Sequence, residues 1–133
     1  MANSTSANLK LTVQATGENS GTWGQITNTN LLILEQAIGG YDALNVTNAS
    51  RALTFTNGAL SNGKNEVIKL TGTLEGNLNV TIPDSVEKTY IVEDGCDHAG
   101  YTLTFKTGSG TGVALCEGHK SVLYLDGTNI ELG

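Results

Sequence analysis

Only one proline and two cysteines occur in this chain, and aromatic residues make up 5% of it. The scarcity of aromatics leaves Leu, Val and Ile to build the core. Basic residues are also few: 7 Lys and Arg against 13 Asp and Glu give a formal charge of −6. An acidic chain of this kind does not suit a phosphate backbone, so nucleic acid is excluded as the expected partner. No apolar run approaches the roughly 20 residues that cross a bilayer. The polar opening, Met1 to Asn8, has no apolar signal-peptide centre. Neither a membrane nor a secretory route is expected, and folding in a cytoplasm would keep Cys96 and Cys116 reduced.

Glycine is abundant, 17 residues in 133, and Thr and Asn accompany it. Such residues sit in tight turns between strands. With 38% hydrophobic residues in clear patterns, the chain has the means to bury a core.

Residues 1–8 read as a flexible polar arm. Leu9, Leu11 and Val13 alternate with polar residues, the period of a strand. After a loop comes Trp23, expected to anchor the following helix by core or lid packing rather than to stack on a ligand. Thr27 or Asn28 is the expected N-cap, and Gly39-Gly40 the stop, with a left-handed glycine. Leu31, Leu32, Ile33 and Leu34 are followed by Ala37 and Ile38, so the apolar residues cover more than one face. One face can pack on the β-structure. Another, Asn30-Ile33-Ala37 at spacings of three and four, is expected to meet copies of itself, with Asn30 fixing the register. The alternative is a helix buried wholly within one subunit. The expected docking and oligomerisation residues are Trp23, Asn30, Leu31, Ile33, Leu34, Ala37 and Ile38.

Tyr41 to Ser50 reads as a polar connection. Beyond it, alternation marks strands at Leu53–Phe55, Val67–Leu74, Leu78–Ile82, Tyr90–Val92 (apolar on both faces, hence central), Tyr101–Phe105, Val113–Leu115, Val122–Leu125 and Ile130–Leu132. Pro83 stops one of them, and Asp126-Gly127 marks a hairpin. No internal repeat is evident. About eight short strands with turn residues every 8–12 positions indicate a mainly β fold. The expected form is an antiparallel β-sandwich or jelly-roll-like domain, residues 41–133, preceded by an N-terminal module of arm, strand and one short helix, residues 1–40.

No catalytic constellation stands out. Gly108-Ser109-Gly110-Thr111-Gly112 lacks the Gly-Lys-Ser/Thr ending of a phosphate loop and reads as a hairpin turn. Glu93, Asp94 and Asp97 read as solvated charges in a turn. Every Cys and His falls in two clusters, Cys96-Asp97-His98 and Cys116-Glu117-Gly118-His119. Two thiols and two imidazoles are the right donors for tetrahedral zinc, though Cys-x-His is not a usual spacing. A Cys96–Cys116 disulfide formed after release from a cell is an equal alternative, and unlinked residues are the default, so no cofactor is expected. A small metal-dependent enzyme using these four residues is the competing function class.

Certain phrases resemble a known group. Asn19-Ser20-Gly21-Thr22-Trp23-Gly24, then Thr27-Asn28-Thr29-Asn30-Leu31 and Leu34-Glu35-Gln36-Ala37-Ile38-Gly39-Gly40, resemble a segment of tail-fibre and related virion structural proteins of tailed bacteriophages, especially marine ones. Lys69 to Leu74, Lys88 to Val92, Gly110 to Val113 and Asp126 to Asn129 are similar to the β-domain that often follows it. Cys116 and His119 depart from that pattern. The resemblance implies a non-enzymatic, homotrimeric building block on a virion surface, assembled in the host cytoplasm and docked on other virion proteins of the capsid or tail. A tail-fibre-like protein, a capsid-decorating (cement) protein or a short adaptor would each fit. Attachment to a host receptor or glycan is the alternative. Direct glycan stacking is not expected, because Tyr41, Tyr90, Tyr101, Tyr124 and Trp23 are mostly assigned to the core.

Overall fold

A computed structural model describes residues 2–132. Among these residues the chain is mainly β, with one α-helix and three sheets. A small antiparallel ribbon pairs β1 (Ser4–Thr5) with β2 (Thr12–Val13). Helix α1 (Trp23–Gly39) follows. The strands after it are β3 (Tyr41–Asn45), β4 (Arg51–Ala52), β5 (Val67–Thr73), β6 (Leu78–Ile82), β7 (Glu87–Asp97), β8 (Leu103–Thr107), β9 (Gly112–Ala114), β10 (Lys120–Asp126) and β11 (Ile130–Leu132).

These strands make a five-stranded sheet, in the order β11-β10-β7-β5-β3, and a four-stranded sheet, in the order β4-β6-β8-β9. From β3 to β8 the chain alternates between the two sheets. Each strand lies parallel to the one two places earlier: β3 beside β5, β5 beside β7, β4 beside β6 and β6 beside β8. The chain therefore winds as a coil. Tyr41 pairs with Val67 and Val67 with Ile91, so one turn advances roughly 25 residues. At β9, β10 and β11 the chain reverses and the pairing becomes antiparallel.

This corrects the antiparallel sandwich or jelly-roll pairing expected from the sequence. Alternation reports which face of a strand is buried, and says nothing of its neighbour. The turn-rich composition suggested hairpins, yet most of the turns here connect one sheet to the other. Tyr41–Asn45, expected as a polar connection, is an edge strand. Leu53 and Phe55 lie outside any strand. The expected central strand is confirmed and longer: β7 runs eleven residues and lies between β10 and β5.

The core lies between the two larger sheets. Ile68, Leu70, Tyr90, Val92, Leu123 and Leu125 come from one sheet, and Val80, Ile82, Leu103 and Phe105 from the other. All are at most 1% exposed. Each such aliphatic side chain contributes roughly 1.5–3 kcal/mol by leaving water. The Tyr90 and Phe105 rings meet edge to face across the gap at 5.7 Å. The Tyr90 hydroxyl donates to the Gly63 carbonyl, and burial pushes its pKa upward. Lys88 lies over the same ring and pairs with Glu66 at 3.6 Å.

The N-terminal segment is not a free arm. Asn3 binds Asn19 and the Ala15 N–H, and the Asn8 side chain accepts from the Glu87 N–H at 2.8 Å. Met1 lies outside the described residues.

Candidate functional site

Helix α1 starts five or six residues earlier than expected, at Trp23, with Thr22 as N-cap and no side-chain cap bond. Gly40 closes it in an extended conformation, φ −73° and ψ 150°, not the left-handed one. The reason is local. A Cβ at Gly40 would lie 2.4 Å from both Asn65 Oδ1 and the Gln36 carbonyl, so glycine is needed here for close approach. The Gln36 carbonyl accepts from Gly40 N–H at 2.8 Å and Glu66 N–H at 3.1 Å, and these bonds lead the chain into β3 and bind the helix to the start of β5.

The helix face expected to meet copies points inward. Ile33 is fully buried, Ala37 is half-buried, and Asn30 bonds in both directions to the Thr12 backbone. The register role foreseen for Asn30 is thus replaced by a bond within the chain. The outer side carries Leu31, Leu34 and Ile38, at spacings of three and four, 57%, 37% and 79% exposed. Trp23 lies on the same side, eight residues before Leu31, and is 64% exposed. The expectation that Trp23 packs in the core or as a lid is therefore corrected: no apolar neighbour covers most of its ring. Leu31, Leu34 and Ile38 thus stand exposed at coiled-coil spacing, and Thr27, bonded by Gln14, lies between them and Trp23.

The Cys and His clusters do come together. The segment after β9 folds back on the end of β7: Asp94 N–H donates to the His119 carbonyl at 2.9 Å, Gly118 N–H to the Asp94 carbonyl at 2.8 Å, and His98 N–H to Glu117 Oε1 at 2.6 Å. Yet no group of three or more metal-ligating side chains converges among the described residues. Cys96 points into the core, 3% exposed, and its thiol is pushed up to about 12, first by burial and then by the Asp94 charge. Cys116 is exposed, and the two thiols are unlinked. His98 Nε2 lies 2.5 Å from Asp94 Oδ2, while Asp94 Oδ1 accepts from the Cys96 N–H.

Glu93, Asp94 and Asp97 lie within β7, not in a turn, and Asp94 is 1% exposed; of the three expected solvated charges Asp97 is exposed and Asp94 is not. The acidic cluster looked polar enough for a turn, but alternation continues through it. Asp94 points inward beside His98, and Glu93 points outward between Lys69 and Lys120, whose hydrogen bonds lower its pKa.

Two of the hollows on the surface adjoin these elements. One, about 360 Å³, lies beside the C-terminal half of α1. The loop on its far wall is held by Lys64, fully buried, whose Nζ donates to the carbonyls of Thr56 at 2.5 Å and Ala59 at 2.6 Å. Burial, and to a lesser degree Lys10, lowers the Lys64 pKa. Sequence reading missed this lysine; its place directly after the turn residues Asn62-Gly63 gives no sign of burial. The second hollow, about 280 Å³, lies between the loops holding Asp84, Ser109 and Thr128. There the Ser109 hydroxyl and N–H both donate to Asp84 and depress its pKa. Of the aromatic residues expected in the core, Tyr90 alone is buried among the tyrosines; Tyr41, Tyr101 and Tyr124 are 58%, 43% and 43% exposed.

No family description, curated protein or solved structure matches this chain.

Proposed function

We propose that this chain is a non-enzymatic virion surface protein of a tailed bacteriophage, tail-fibre-like or capsid-decorating, that acts by homotrimeric assembly and docking on other virion proteins. The observation that carries the assembly part is the exposed stripe of Leu31, Leu34 and Ile38 on α1. A helix this apolar on its outer side gains by meeting a second apolar surface, and the same stripe on a second copy supplies one. The virion setting and the number three rest on the resemblance of Asn19 to Gly40 to phage tail proteins. The low charge of the Thr- and Asn-rich β-surface agrees with a solvated particle exterior.

The test is the mass in solution. Light scattering of the wild type at micromolar concentration is expected to give three times the chain mass, and Leu34→Asp or Ile38→Asp to give one, with circular dichroism unchanged. A monomeric wild type would refute assembly through this stripe. The exposed tyrosines Tyr41, Tyr101 and Tyr124 favour a second reading, attachment to a host glycan. Titration with host surface polysaccharide, followed by tyrosine fluorescence, decides it.

A further inference from the structure

Two Asn-Gly pairs occur in the chain, Asn57-Gly58 and Asn62-Gly63. An asparagine followed by glycine is chemically labile, because no side chain shields the next backbone nitrogen from the asparagine carboxamide. The fold requires glycine at both places. Gly58 takes a left-handed φ of +66°, and a Cβ there would lie 2.5 Å from Thr12 Oγ1. At Gly63 a Cβ would lie 2.4 Å from the Phe55 ring. The surroundings of the two pairs differ. Asn62 is locked: its Oδ1 accepts from the Thr54 N–H at 2.7 Å and the Thr54 hydroxyl at 2.9 Å, and Gly63 is buried. Asn57 stands exposed in a turn, and its side chain makes no hydrogen bond among the described residues. What restrains this pair is the N-terminal ribbon, whose loop supplies the Lys10 carbonyl that accepts from the Gly58 N–H at 2.7 Å. Lys64 grips the same turn by the carbonyls of Thr56 and Ala59, on either side of the pair. Its positive charge there favours loss of the Gly58 N–H proton.

We propose that Asn57 is a self-modification site, converting to an aspartyl or isoaspartyl residue when the ribbon releases Gly58. Once the Lys10 bond opens, the Gly58 nitrogen attacks Asn57 Cγ. The Cγ–Nδ2 bond breaks, and the Gly58 proton leaves with that nitrogen as ammonia. Water then opens the succinimide ring at either carbonyl. The isoaspartyl product routes the backbone through Cβ and Cγ, which lengthens it and shifts Gly58 away from the Lys10 carbonyl and Thr12 Oγ1. Either product puts a carboxylate where a neutral amide stood. Conversion therefore loosens the ribbon that had gated it. Neither the outer stripe of α1 nor self-association enters this chemistry.

The experiment incubates the full chain in mildly alkaline buffer, folded and in urea, and follows both pairs by peptide mass spectrometry, with isoaspartyl methyltransferase labelling to mark the isoaspartyl form. Conversion in urea supplies the intrinsic rate of each pair. Relative to that rate, the fold is expected to slow Asn62 at least about tenfold more than Asn57, since Asn62 must also shed its Thr54 bonds. Asn30→Ala frees Thr12 from α1, and Asn8→Ala removes the bond from the ribbon loop to Glu87. Each is expected to speed conversion of Asn57 in the folded chain about threefold or more, with Asn62 unchanged. The isoaspartyl chain, separated by ion exchange, is expected to be cut among residues 2–15 sooner than the unconverted chain in limited proteolysis. Equal slowing of the two pairs, no conversion of Asn57 in the folded chain, indifference to both variants, or unchanged proteolysis of the isoaspartyl chain would each overturn the proposal.

Discussion

The side-chain amide of Asn30 pairs in both directions with the backbone of Thr12: Oδ1 accepts the Thr12 N–H at 2.9 Å, and Nδ2 donates to the Thr12 carbonyl at 2.9 Å. A helix residue thus takes the place of a neighbouring strand for the N-terminal ribbon. Asn30→Ala removes both bonds and is expected to cost about 1–3 kcal/mol. Limited proteolysis should then cut first among residues 2–15, with the mass in solution unchanged. A change of oligomeric state without loss of the ribbon would show that Asn30 serves an interface instead.

Ile33 and Ile38 divide the two roles of α1. Ile33 is fully buried, and Ile38 is 79% exposed. In a Leu34→Asp background, urea unfolding should show Ile33→Ala losing about 2–5 kcal/mol. Ile38→Ala should change stability there by no more than about 0.5 kcal/mol. Comparable losses at both positions would mean that the outer side of α1 is covered within one chain.

Alkaline stability should depend on Cys96. The thiol titrates at about 12 in the folded chain, against 9.0 for an ordinary thiol. The folded state therefore holds its proton longer than the unfolded one. The contribution to stability is fully present below pH 9 and is lost as the pH rises toward 12. Cys96→Ala lacks this slope. The difference in unfolding free energy between wild type and variant should be constant below pH 9 and shift against the wild type above it. Buried Tyr90 acts in the same direction in both proteins and cancels. A flat difference across that window would place Cys96 in contact with water.

Asp94 should hold the turn at residues 116–119 as well as the end of β7. Asp94→Ala leaves the Cys96 N–H and His98 Nε2 without their acceptor, at about 1–3 kcal/mol for each orphaned group. Hydrogen exchange at the Gly118 and His119 amides should quicken in the variant. Unchanged exchange would mean that the backbone bonds at Asp94 hold that turn alone.

Much of the local structure was legible in the sequence. Leu78 to Ile82 and Leu103 to Phe105 show their buried faces by alternation alone, because a strand's two faces are set by the residue period. The helix was legible in type, but not in orientation. Leu31 to Leu34 are all apolar, so composition cannot say which of them faces inward; the contacts of Thr12, Ser61 and Glu66 decide, and those lie far away in sequence. The coil was invisible for the same reason. Its turns share no residue motif, and Pro83 marks the end of a strand without naming the strand that lies alongside. Of the hollow beside α1, Gly39-Gly40 was seen as a helix end; the bond from the Gln36 side chain to the Ser61 carbonyl carries no sequence mark.

The winding of β3 to β8 sets how such a chain can change its length. In a hairpin meander, inserting one strand reverses the direction of every strand that follows. Here an insertion or deletion of one full turn, about 25 residues, adds or removes one rung in each sheet and leaves the remaining ladders in their directions. Shorter changes are confined to the loops that join the sheets. The fold is therefore built to be lengthened or shortened in whole steps, with α1 at one end and the reversed strands β10 and β11 at the other kept as they are.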